Sequence, residues 1–174
     1  MSHRFEDALA KGVGVANAAR ARLRGLHGVF VTLTEQHAQA VSLLKRLAAA
    51  EPPKQGELWQ TVRAELLSHE MAEAEQVYAR LDQHPRLKES VKSHERDVPR
   101  LEAAIEQVDA CALGTDDWRA ALEALQYLVE QHVDHEEGEI FPLAVEVIDK
   151  PTSTLVDQRF RATHNAALSA FLLH

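Results

Sequence analysis

The chain is short of the residues that staple a fold or break it up. It has one cysteine, Cys111, among 174 residues, so no internal disulfide is expected and a reducing cytosol is the default compartment. Seven glycines, six prolines and 5% aromatics leave little for tight turns or for the aromatic, β-branched surfaces of sheets. No apolar run approaches the roughly 20 residues that cross a membrane, and the polar opening MSHRFEDALAKG does not read as a secretion signal. Positive charge is also scarce. A net charge of −8 with a pI near 5.7 argues against a nucleic-acid partner or an anionic membrane surface. What remains is rich in Ala, Leu, Glu and Gln, the composition of a helical bundle. At 174 residues and 19.4 kDa the expectation is one domain spanning residues 1–174. Against this plain background, ten histidines stand out.

Apolar residues recur at helical spacing in four long segments. The first seam is Phe30, Leu33, His37, Ala40, Leu44 and Leu47, ended by EPPKQGE; the second is Val62, Leu66, His69, Glu73, Val77 and Leu81, stopped by DQHP. Pro85 suits a first helical turn, and opens a third seam of Leu87, Val91, His94, Val98, Leu101, Ile105 and Val108. Thr115 is placed to cap the fourth, with Asp116 and Asp117 favouring its first turn; this seam is Trp118, Leu122, Leu125, Val129, His132, Glu136 and Ile140. Pro142 is expected to bend or break that helix, and Pro99 to kink the third. After DKPTST a shorter helix, about 153–173, lines up Val156, Phe160, His164, Leu168 and Phe171. The stretch VANAARARLRGLHG reads as a short, basic helical lead-in. Short connections favour an all-α, antiparallel up-down-up-down four-helix bundle over about 28–149, with an additional C-terminal helix.

Each main seam carries a histidine where the pattern calls for a core residue, and two also carry a glutamate four residues on. Unpaired buried carboxylates cost several kcal/mol or take up a proton, so the set calls for a cation. Depth supports this. His37 and His69 lie about 13 residues either side of the first connection, and His94 and His132 roughly 19 and 17 either side of the turn near Gly114. Each pair therefore falls at matching heights on neighbouring helices, while His94 falls nearer the level of Glu73 than of His69.

The stretch HVDHEEGEIFP offers two one-turn pairs, His132–Glu136 and His135–Glu139. An internal echo chooses between them. His69, Glu73 and Tyr78 stand at relative positions 0, 4 and 9, as do His132, Glu136 and Phe141, and His37, Val41 and Leu44 match His94, Val98 and Leu101. The inward pair is then His132–Glu136. His135, Glu137 and Glu139 are expected on a solvated flank, with a hydrogen bond to a ligand histidine as the one link inward. His3, His27, His84 and His174 sit near ends or turns, and Cys111 lies far along its helix from His94; none enters the argument.

This ordered set, H, HxxxE, H, HxxxE, resembles the hemerythrin-like, or HHE cation-binding, domain family over roughly residues 28 to 145. The resemblance implies a bundle holding two iron ions, oxo- or hydroxo-bridged, with His37, His69, His94 and His132 as terminal ligands and Glu73 and Glu136 as bridging carboxylates. Oxygen-carrying members place a further histidine where this chain has Val98. One iron thus lacks an imidazole, for which Glu70 and His164 are the candidate replacements, and Tyr78 is a candidate hydrogen-bond donor near the metals. No catalytic residue is expected beyond the ligands. The resemblance implies binding or reduction of a small diatomic or peroxide ligand, with peroxide disproportionation as the first catalytic expectation. An iron sensor, iron donor or iron-sulfur repair factor is the alternative.

Overall fold

The computed structural model describes residues 2–173, with side chains from residue 12 onward; His174 and the side chain of His3 lie outside the described residues. Every regular element among them is helical. Helix α1 spans Ser2–Leu23 and α2 Val29–Ala48; α3 runs over Pro52–Glu73 and passes through a π turn, Ala74–Tyr78, into Ala79–Leu81. A 3₁₀ turn at Pro85–Leu87 leads into α4, Lys88–Ala110. Helix α5, Asp116–His135, passes through a second π turn, Glu136–Ile140, into Phe141–Val147, and α6 spans Lys150–Phe171. The all-helical expectation holds. Thr115 caps α5 as expected, its hydroxyl accepting from the Trp118 N–H at 3.2 Å.

Three expectations change. The N-terminal lead-in is a helix of 22 residues laid along α2, with Ala18 and Ala21 buried. Its alanines are strong helix formers and small enough for close approach, properties that a search for a wide apolar stripe undervalues. The C-terminal helix is not short: it also has 22 residues. DKPTST is its beginning, because the Asp149 carboxylate accepts from the Thr152 N–H at 2.8 Å and Pro151 sits in the first turn. Pro142 does not end α5. The π turn finishes at Ile140, so the proline enters in the first turn of Phe141–Val147, where a missing N–H matters least. Pro99 stands inside α4.

Helix α2 touches α1, α3, α5 and α6, while α4 pairs with α5 and α6 lies across α3 and α2. The apolar core is in two pieces. One gathers Phe30, Leu33, Val77, Leu81, Val91, Ile140, Phe141 and Phe160. The other gathers Leu44, Leu47, Trp59, Leu66, Leu101, Ile105, Trp118, Leu125 and Val129. Along α2, α3, α4 and α5 the change from one to the other falls at His37, His69, His94 and His132. A polar layer thus divides the core at one level, as the depth count requires.

The α1–α2 corner is fastened to α6. Ser153 donates to the carbonyl of His27 at 3.0 Å and accepts from the Val29 N–H at 3.1 Å. Gly28 makes this possible: its φ is +54°, and a Cβ there would lie 2.6 Å from the Ser153 backbone carbon.

Candidate metal centre

The polar layer collects what the four seams promised. His37, His69, Glu73, His94, His132 and Glu136 are all buried, and so is Glu70. Their donor atoms fall into two groups. His37, His69 and Glu73 form one, and Glu70, Glu73, His94 and His132 the other; within each, one atom per residue lies within 4.8 Å of every other. Glu73 belongs to both. Glu136 lies between them as well: Oε2 is 3.3 Å from His37 Nε2 and 3.4 Å from His132 Nε2, and Oε1 is 3.5 Å from His94 Nδ1. Two carboxylates therefore face both groups, the arrangement needed to bridge two cations.

The buried polar atoms support the same conclusion. Buried donors and acceptors are almost always hydrogen-bonded. Among the described residues, eleven buried side-chain atoms have no hydrogen-bond partner, and all but His27 Nδ1 and Gln55 Oε1 belong to this cluster. They include Nε2 of all four histidines, both oxygens of Glu73 and one oxygen each of Glu70 and Glu136. So many orphaned imidazole nitrogens and carboxylate oxygens, all at one level, fit cations rather than a hydrogen-bonded network. The mixed nitrogen and oxygen donor set suits a first-row transition metal such as iron.

Surrounding residues fix which atoms turn inward. His37 Nδ1 lies 3.1 Å from Glu137 Oε1 and His69 Nδ1 lies 2.9 Å from Gln36 Oε1. The Nδ1–H of each ring donates to its carboxylate or amide oxygen, which turns Nε2 toward the layer. Tyr78 donates its O–H to Glu136 Oε1 at 2.6 Å and stacks on His94 with ring centroids 3.6 Å apart. Phe141, its counterpart in the sequence echo, stacks on His37 at 5.8 Å.

The protein's own charges set a pattern that a cation would relieve. Burial works against a charged His37, yet contacts with Glu136 and Glu137 outweigh it and raise the pKa to about 10. His69, buried beside His37, is lowered to about 3. Burial and then the neighbouring Glu136 raise Glu73. Burial would raise Glu136 too, but His132, His37 and His94 hold it well below the usual carboxylate range. Burial raises Glu70, and burial followed by Glu136 pushes the Tyr78 hydroxyl well up.

Of the remaining candidates, the structure brings Glu70 and Tyr78 into the cluster and leaves two outside it. Glu70 Oε1 lies 3.4 Å from His132 Nε2, so it supplies a carboxylate donor to the group that holds Glu73, His94 and His132. His164 stands apart from both donor groups: its Nε2 lies 3.3 Å from Glu65 Oε2 and its ring stacks on Phe160. His135 stays on the flank, 3.9 Å from Asp97 and 3.8 Å from Glu139, because its side chain leaves the helix away from the layer. The bond from that flank to a ligand histidine comes from Glu137. Gln36 and Phe160, whose ring meets His69 edge-on at 5.8 Å, escaped the sequence reading. A half-buried glutamine and a seam phenylalanine carry no pattern that marks them. The two π turns also went unforeseen, although one follows the His69–Glu73 pair and the other begins at Glu136 of the His132–Glu136 pair; such turns are frequent at functional sites.

Compared with known protein families, the chain matches the hemerythrin HHE cation binding domain over residues 17–144. The match starts within α1 and ends before α6. Searches of characterised proteins and of solved structures gave no match.

Proposed function

This chain belongs to the hemerythrin HHE cation-binding domain family, and on that premise we propose that it is a non-haem di-iron protein that binds or reduces a small oxidant: oxygen, peroxide or nitric oxide. The observation that carries this is the sharing of Glu73 and Glu136 between two donor groups, which suits two cations acting on one small ligand. The reading takes α2, α3, α4 and α5 as the up-down-up-down bundle of the family. It assigns His37 and His69 to one iron, His94, His132 and Glu70 to the other, and Glu73 and Glu136 to both. When bound, the iron pair would supply two electrons in one-electron steps.

The protein's part is to hold and to shield. Glu137 and Gln36 keep two imidazoles turned inward, Tyr78 fixes one bridging carboxylate, and the two apolar clusters close the layer from either side. Glu70 in place of an imidazole adds negative charge to its group, which favours the oxidised metal and so turnover over reversible carriage. Peroxide disproportionation, in which one peroxide is oxidised to oxygen while a second is reduced to water, is the activity we assign, in the cytosol. Among the described residues no helix is long and apolar enough to cross a membrane. Iron-loaded protein is expected to evolve oxygen steadily from hydrogen peroxide, and His69→Ala to abolish this. Wild-type protein holding two irons yet inert toward peroxide would refute the assignment.

A further inference from the structure

Three cavities reach the candidate ligands, and they differ in what they touch. A groove of about 700 Å³ between α1, α2 and α5 touches His37 alone among them, and a pocket of about 270 Å³ touches His132 alone. A cavity of only about 60 Å³ touches four: His37 and His69 from one donor group, Glu70 and His132 from the other. A molecule inside it faces both metal positions at once. Pockets that hold organic ligands run to ~300 Å³ or more, so this one admits only a few atoms.

The lining of this cavity also includes Glu65 from α3 and His164 from α6. The side chain of His164 is 8% exposed and that of Glu65 35%, with 3.3 Å between Nε2 and Oε2. The pair therefore runs from solvent to the edge of the small cavity. It is one of several contacts between α3 and α6, and rotation of one half-exposed side chain undoes it. Helix α6 is fastened near its start by Ser153, whereas Leu172 and Leu173 at its end are exposed. Gln76 Nε2 also donates to Thr163 Oγ1 at 3.1 Å, and His164, next to it, stands beyond the segment that the family match covers.

We propose that Glu65 and His164 form the entry gate through which the small ligand reaches the site, so that α6 selects ligands by size. This rests on the di-iron reading above and adds a role for residues that bind no metal. A gate has a kinetic signature: it changes how fast a ligand enters and leaves without changing how tightly it is held.

The test uses the full iron-loaded chain, with azide as probe and stopped-flow absorbance as readout. His164→Ala is expected to raise the azide association and dissociation rates together by about tenfold, leaving Kd within twofold. Glu65→Ala, at a half-exposed position that does not threaten folding, is expected to raise both rates in the same way. His164→Trp is expected to slow both. Rates within twofold of wild type in the two alanine variants would overturn the gate, and so would a change in only one of the two rates, which shifts Kd. Wild-type protein that fails to take up iron would instead defeat the di-iron reading, an outcome visible before azide is added.

Discussion

Tyr78 and His37 show how single side chains tune the cluster. Tyr78 donates to Glu136 Oε1 at 2.6 Å. Its removal takes away one of the contacts that orient this carboxylate. Tyr78→Phe is expected to keep the fold, since the ring still stacks on His94, but to weaken iron binding by about tenfold, the usual cost of losing an outer-shell partner; competition against a chelator measures this. His37 makes a prediction about protons. With its pKa raised to about 10, it is protonated at neutral pH, and Nε2 must lose that proton before it can hold a cation. Iron uptake should therefore release protons, and apparent affinity should fall about tenfold per pH unit for each proton displaced as pH drops below ten. Calorimetry in buffers of different ionisation enthalpy reads the proton count. A count of zero at pH 7 would contradict the charge state assigned to His37.

At the scale of elements, the corner between α1 and α2 carries the clearest structural demand. Gly28 combines a left-handed φ with a backbone pressed against Ser153, so any side chain there is strained and displaces α6. Gly28→Ala is expected to lower stability by about 2 kcal/mol or more. Gly12→Ala, inside α1 with nothing within 4 Å of the added carbon, should raise stability by about 0.5–1 kcal/mol. Urea unfolding of the two variants should thus give opposite signs.

The elements also show what the sequence made legible. Seam periodicity located α2 to α5, since their core faces are apolar apart from one marked polar step each. The His-x-x-x-Glu echo selected His132–Glu136 over His135–Glu139 because repeated spacing signals repeated geometry. Alanine buries little area, so α1 shows weakly in an apolar pattern, and capping residues are also turn residues, so the start of α6 at DKPTST reads as a break before the helix. The π turns and Gln36 left no trace in apolar spacing. Donor-atom contacts across helices depend on side-chain rotation, which no one-dimensional pattern encodes.

The molecule as a whole is two apolar clusters separated by a layer of buried imidazole and carboxylate groups, several of whose atoms lack a hydrogen-bond partner. Such a layer destabilises the fold unless something satisfies it, so metal and stability are linked. At a thousandfold excess over Kd a bound ligand contributes about 4 kcal/mol, and a chain of this size shifts by about 2–4 °C per kcal/mol. Stripping the metal with a chelator is therefore expected to lower the melting temperature by roughly 10 °C. The most direct measurement is an anaerobic titration of the metal-stripped chain with ferrous iron, counting ions bound per chain. Donor groups joined by Glu73 and Glu136 should fill to two irons per chain, whereas saturation at one, or no uptake at all, is incompatible with a carboxylate-bridged pair.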